Sequence, residues 1–181
     1  MHILKYTVNY GNFDRLKVSN DVLVISKPDG DRRGSRFYKI NSHLLPPHDI
    51  SIYFDANVRF HEWPSIDNME RDWLAQNHIC RDCLFQEAQA VLSGLADPKE
   101  VGEQIQRYRD EGMPENFGLY GNCVLIRKNT KKVKELNEMW WEEYKNGCER
   151  DQISLPYVFW KNNYKPQVVP PFNIQRVAHG T

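Results

Sequence analysis

The sequence predicts an α/β fold, a mixed but mainly parallel sheet flanked by helices, and three observations carry that expectation. Short apolar runs of strand length alternate with longer segments whose apolar residues recur at helical spacing. Pro, Gly and Asn punctuate the joins between them. No internal repeat or low-complexity tract breaks the alternation. Strands alternating with helices build layered sheets that bind ligands at the carboxyl ends of their strands. At 181 residues the chain is expected to be a single domain, residues 1–181, with a real core.

Each element has its own justification. Lys5 to Asn9 reads as the first strand, closed by the turn Tyr10-Gly11-Asn12. Val22 to Ile25 is a second short apolar run, ended by Ser26-Lys27-Pro28, and Asp29 to Ser35 is a polar loop. Arg36 to Leu45 is expected to be a helix that stops before Pro46-Pro47. Ile50 to Phe54 is the clearest strand, rich in branched and aromatic residues. Trp73 to Cys80 is read as another. From Cys83 to Leu95, Leu84, Glu87, Ala88, Val91, Leu92 and Leu95 fall at helical spacing. Pro98 suits a helix's first turn, and Val101, Ile105 and Tyr108 continue that helix's apolar face. Cys123 to Ile126 is the next strand. Thr130 to Lys145 is the next helix, buried through Val133, Leu136, Trp140, Trp141 and Tyr144. Arg150 to Lys161 reads as helical despite Pro156, and Gln167 to Thr181 as an irregular tail.

Bulk properties narrow the function. The chain carries 24 basic and 24 acidic residues, for a net charge of +0, so no basic excess points to nucleic acid. Hydrophobic residues make up 40%, and no apolar run approaches the roughly 20 residues of a membrane span. The start, Met1-His2-Ile3-Leu4-Lys5, lacks a signal peptide's long apolar stretch, and the expected location is cytoplasmic. Cys80 and Cys83 form a CxxC, but Cys123 and Cys148 are isolated from each other, so a four-cysteine zinc site is not indicated. These thiols are read as structural, with a CxxC oxidoreductase as a minor rival.

The most informative phrase is Ile50-Ser51-Ile52-Tyr53-Phe54-Asp55-Ala56-Asn57. Alternation along a strand would put Asp55 and Asn57 on the same side at its end. A carboxylate and an amide carbonyl so placed offer a hard divalent cation part of an oxygen shell, with positions left for phosphate. By themselves the two residues read equally as a strand exit with a turn-forming asparagine.

Taken in order, further pieces accompany this phrase: Tyr6-Thr7-Val8-Asn9-Tyr10-Gly11, Arg36-Phe37-Tyr38-Lys39-Ile40 with His43, and His78 with Arg81-Asp82-Cys83-Leu84-Phe85-Gln86-Glu87-Ala88. Gly118-Leu119-Tyr120, Trp140-Trp141-Glu142-Glu143 and Glu149-Arg150-Asp151-Gln152-Ile153-Ser154 follow. The ordered set resembles the glycosyltransferase-like domains of GT-A fold, first catalogued as a domain of unknown function. Relatives of that kind occur in bacterial, plant and large-virus glycan pathways. Asn57 departs from the general GT-A pattern, which has a second aspartate there, and a neutral ligand weakens metal affinity.

The resemblance implies transfer of a sugar from a nucleoside diphosphate donor, with a UDP-sugar favoured, to a glycan hydroxyl. It implies Mn²⁺ or Mg²⁺ held by Asp55 and Asn57, with His179 as a third ligand or else a residue without a role. Thr7, Val8 and Asn9 would hold the base and ribose, and Asp55, Ala56 and Asn57 the diphosphate. Arg36 and Lys39, three apart, would share a helix face and clamp phosphate, the planar fork of Arg36 being the better suited. Lys39 alone reads as a solvated charge. His78, Arg81 and Trp140 would touch donor sugar or acceptor, one of the adjacent tryptophans being core. Glu87 is read as structural, with Arg81 as a partner. Asp151 would be the base of an inverting transfer, with Glu149 in reserve, although aspartate at a helix start also serves as a cap. The alternative is a catalytically silent, GT-A-derived sugar-binding or assembly module.

Overall fold

The computed structural model describes residues 1–94 and 96–179. The chain runs β1 (Ile3–Tyr10), β2 (Val22–Lys27), α1 (Arg32–Ile40), a 3₁₀ turn (Ser42–Leu44), β3 (Ile50–Phe54), β4 (Val58–Phe60) and β5 (Trp73–Asn77). It continues through α2 (Leu84–Val91), α3 (Pro98–Asp110), β6 (Tyr120–Lys128), α4 (Lys131–Lys145), α5 (Asp151–Lys161), β7 (Gln167–Val169) and β8 (Ile174–Arg176).

Six strands form one mixed sheet in the order β2-β1-β3-β6-β5-β7, and β4 with β8 forms a small antiparallel pair. β1 is parallel to β2 and β3, and β7 is parallel to β5. β6 runs antiparallel between β3 and β5. The carboxyl ends of β1, β2, β3, β5 and β7 therefore share one edge with the amino end of β6.

The period-two pleat divides the sheet's side chains between two cores. Tyr6, Tyr53, Trp73 and Leu125 face a large cluster to which all five helices contribute. Ile50, Ile52, Phe54, Val124 and Ile126 face a smaller one. No helical residue enters that second cluster among the described residues; Trp63, Ile66, Met69 and Phe172 close it. The helices thus gather on one face, and Asp55, two residues beyond Tyr53, emerges on the helix side.

Local chemistry explains where the helices begin. Asp31 accepts a 2.6 Å bond from the Gly34 amide and caps α1. A Cβ on Gly34 would lie 2.9 Å from that carboxylate oxygen, so glycine keeps the cap intact. Asp97 caps α3 with Pro98 in its first turn, and Thr130 caps α4. α5 carries Pro156 in its interior, where burial from Ile153 to Phe159 offsets the missing amide donor.

Arg127, fully buried on β6, holds α1 to the sheet. Its guanidinium donates to the carbonyls of Lys39 (2.8 Å) and Ile40 (2.7 Å), to Asn137 Oδ1 (2.9 Å) and to the Tyr6 hydroxyl (2.8 Å). The carbonyl end of α1 is the negative end of its dipole, which suits a buried cation without a carboxylate.

Several expectations need correction. α1 starts at Arg32 rather than Arg36 and ends at Ile40; a 3₁₀ turn follows. β5 stops at Asn77, short of Cys80. α2 ends at Val91, and the expected helical position at Leu95 lies outside the described residues. The tail, read as irregular, holds β7 and β8, each too short to show alternation and set among prolines. Gly180 and Thr181 lie outside the described residues.

Candidate active site

Four side chains singled out in separate stretches of sequence meet at the shared sheet edge. Lys39 Nζ lies 2.7 Å from Asp151 Oδ2 and 3.2 Å from Asp55 Oδ1. Arg36 Nε lies 3.4 Å from the same Asp151 oxygen. Tyr53 donates its hydroxyl to Asp55 Oδ1 at 2.7 Å. The Lys39 side chain is only 2% exposed, so it is no solvated charge. Arg36 and Lys39 share a face of α1 as their spacing predicts, and both turn toward the start of α5.

The electrostatics follow from that packing. Burial alone would raise the Asp151 carboxyl, but Lys39 and Arg36 outweigh it and hold the group well below the usual carboxylate range. Burial and the Asp55 charge push the Tyr53 phenol well above its ordinary value, so it remains a donor. Burial and Asp151 likewise raise the Tyr144 phenol. Asp151 makes no capping bond: α5 has no side-chain cap, and Asp151 is its first residue, near the positive end of the dipole.

Three consecutive residues at this helix start reach four different partners. Glu149 pairs with Arg33 Nε at 3.0 Å, and Arg150 reaches Glu87 Oε1 at 2.8 Å. Asp151 reaches Lys39 and Arg36. Glu87 is fully buried between Arg150 and Arg81, whose Nε is 2.7 Å away, with His78 Nε2 at 3.9 Å. Arg81 and His78 also line an open pocket of about 530 Å³ with Asn77, Gln86, Asn116 and Gly118. Burial lowers the His78 pKa against the pull of Glu87. The pocket and the Lys39 cluster are therefore joined through Arg150 and Asp151.

Other expected residues are placed differently. Trp140 is 0% exposed, and its indole nitrogen donates to Ser154 Oγ at 2.9 Å, so it cannot stack on a sugar. The strand ends before Asp55, so alternation no longer governs Asn57. Val58 instead closes a turn onto the Asp55 carbonyl at 2.8 Å. Asn57 is buried and its amide donates to the Val177 carbonyl at 3.1 Å, stitching the tail to the strand exit. His179 lies 3.0 Å from Asp14 and against Phe13. Ala56, between Asp55 and Asn57 in the chain, is buried.

Thr7, Val8 and Asn9 are buried at the end of β1. Asn9 spends its amide on the Asp14 backbone, donating at 2.9 Å and accepting at 3.2 Å. Sequence reasoning missed Asn122, at the amino end of β6, whose two amide atoms are buried without a partner. A buried, unpaired amide next to a site edge has no signature in one sequence.

A divalent cation binds through several oxygens at once. Asp55 Oδ1 is engaged by Lys39 and Tyr53 and His179 by Asp14, whereas Asn57 donates only its amide nitrogen to Val177 and its buried Oδ1 has no hydrogen-bond partner. Among the described residues no three His, Cys, Asp or Glu side chains form a metal-holding group. As arranged, the Lys39 ammonium beside Asp55 Oδ1 disfavours Mn²⁺ or Mg²⁺ at that oxygen. Cys80 is exposed and Cys83 buried, with the Asn116 amide donating to the Cys83 sulfur at 3.4 Å.

No helix among the described residues is long and apolar enough to cross a membrane. A family model described as TOD1/MUCI70, glycosyltransferase-like domain, matches residues 21–176. A comparison with curated proteins finds no match.

Proposed function

The chain belongs to the TOD1/MUCI70 glycosyltransferase-like domain family, and on that premise we propose that it moves a sugar from a nucleoside diphosphate sugar to a glycan hydroxyl. One observation carries the reading: two cations and two carboxylates, from α1, the end of β3 and the start of α5, converge at the sheet's carboxyl edge. Arg36 and Lys39 offset the charge that develops on the departing diphosphate. Thr7 to Asn9 offer the end of β1 to the nucleoside. The acceptor occupies the pocket lined by His78 and Arg81, which Glu87 and Arg150 connect to the start of α5. Asp151 takes the acceptor's hydroxyl proton as oxygen attacks the anomeric carbon from behind, an inverting transfer with the nucleoside diphosphate leaving.

A second reading has its own support. A carboxylate held ionised so strongly by two cations is a weak base, which favours a silent sugar-binding module. A panel of nucleoside diphosphate sugars, assayed for nucleotide release and transfer, separates the two. The enzyme releases nucleotide from one of them, and Asp151→Asn lowers turnover by about 10²–10⁴. The same substitution strips buried Lys39 and half-buried Arg36 of a counter-charge and should cost stability, roughly 3 kcal/mol or more. Turnover is therefore compared only under conditions where the variant is shown to be folded. Full activity in folded Asp151→Asn removes it as the base and brings Glu149 forward. Donor binding without any release supports the module.

A further inference from the structure

A metal ion on Asp55 Oδ1 would share that oxygen with a cation the chain already supplies. Lys39 Nζ stands 3.2 Å from Asp55 Oδ1 and 2.7 Å from Asp151 Oδ2, almost wholly shielded from solvent. A second cation at that oxygen would be repelled by the ammonium at close range and low dielectric. The backbone that presents Lys39 is fixed as well, because its carbonyl accepts from Arg127 at 2.8 Å and from the Tyr6 hydroxyl at 3.2 Å.

We propose that Lys39 is the resident cation of this site and stands in for a divalent ion, so that nucleoside diphosphates bind without metal. The proposal rests on the transfer reading above. An ammonium has three N–H donors; Asp55 accepts from one and Asp151 lies close as an ion-pair partner, which leaves a donor for a phosphate oxygen. Arg36, one turn earlier on the same face, adds a planar fork suited to phosphate. Together the two side chains bring the two positive charges a divalent ion would bring. Asp55 then has the task of aiming Lys39 and holding Tyr53 rather than of ligating metal.

The test is calorimetric titration of UDP, GDP, CDP and ADP into the full chain, once in EDTA and once in Mn²⁺. At least one nucleotide should bind equally in both, within about two-fold. Lys39→Met should weaken binding in EDTA by about ten-fold or more. Asp55→Asn keeps an acceptor for Tyr53 but removes a negative charge from beside the phosphate, so it should bind several-fold more tightly in EDTA. Binding that requires Mn²⁺, or that is lost in Asp55→Asn, overturns the proposal and leaves the transfer reading standing. Lys39→Met that folds and binds like the wild type also overturns it. If none of the nucleotides binds in either condition, both readings fail. Should Lys39→Met not fold, the wild-type and Asp55→Asn titrations decide.

Discussion

His43 and His78 carry a pH dependence that can be signed. Burial lowers both pKa values, and the opposing pulls of Glu138 and Glu87 do not restore them. An unfolded histidine titrates near about 6.5. Just below that pH the unfolded chain holds more protons than the folded one, so stability rises with pH. The contribution is complete above about pH 6.5 and is lost as pH falls through the folded values. Asp151 is depressed from a carboxylate's starting point, so its share is lost only in stronger acid. Urea unfolding should give a lower midpoint at pH 5.5 than at pH 7.5, and His43→Gln should narrow the gap. Equal midpoints would show that neither ring is held neutral. At this scale the sequence was a partial guide. The convergence of Arg36, Lys39, Asp55 and Asp151 follows from residues the motifs had marked. The burial of Lys39 does not, because a lysine on a polar helix reads as solvated until its partners are known. Likewise, two adjacent tryptophans cannot say which is core. Trp140 is, while Trp141 packs half-buried against Phe37 and Tyr144.

Among elements, α1 is the one whose placement depends most on a single side chain. Arg127 receives no carboxylate and instead closes the last carbonyls of that helix. Arg127→Met keeps apolar bulk but leaves two carbonyls and the Tyr6 hydroxyl short of donors. Each buried orphan costs about 1–3 kcal/mol, so denaturant unfolding should show a loss of roughly 3 kcal/mol or more. Nucleotide binding should fall further than stability alone explains, since Lys39 loses one of the two donors that anchor its carbonyl. A variant of wild-type stability would show that water replaces the guanidinium. The long helices and central strands were legible because their periodicity runs over many residues, as in Lys131–Lys145 and Ile50–Phe54. β4, β7 and β8 were not, since three residues cannot display an alternation. The parity expected of Asn57 failed for a related reason: the strand ends at Phe54, three residues before it.

Across the whole molecule, the α/β alternation was readable, but the reversal of β6 was not, because no local signal distinguishes a parallel from an antiparallel central strand. Nor did the pattern reveal that all helices would collect on one face. The reversed strand has a consequence for how the chain is made. β6 pairs with β3 on one side and β5 on the other, so the sheet's two halves meet only through it. Until residue 128 has left the ribosome, β3 presents an unpaired edge reading Ile50-Ser51-Ile52-Tyr53-Phe54. An uncovered apolar edge of this kind is a template for other chains. A fragment of residues 1–110 should therefore show no cooperative unfolding transition and should sediment as aggregate, while the full chain stays dispersed. A monomeric, cooperatively melting fragment would show that the first three strands close their own edge. Otherwise the nascent chain passes through its most vulnerable moment between the emergence of β3 and that of β6, and its yield in a cell depends on what shields that edge in the interval.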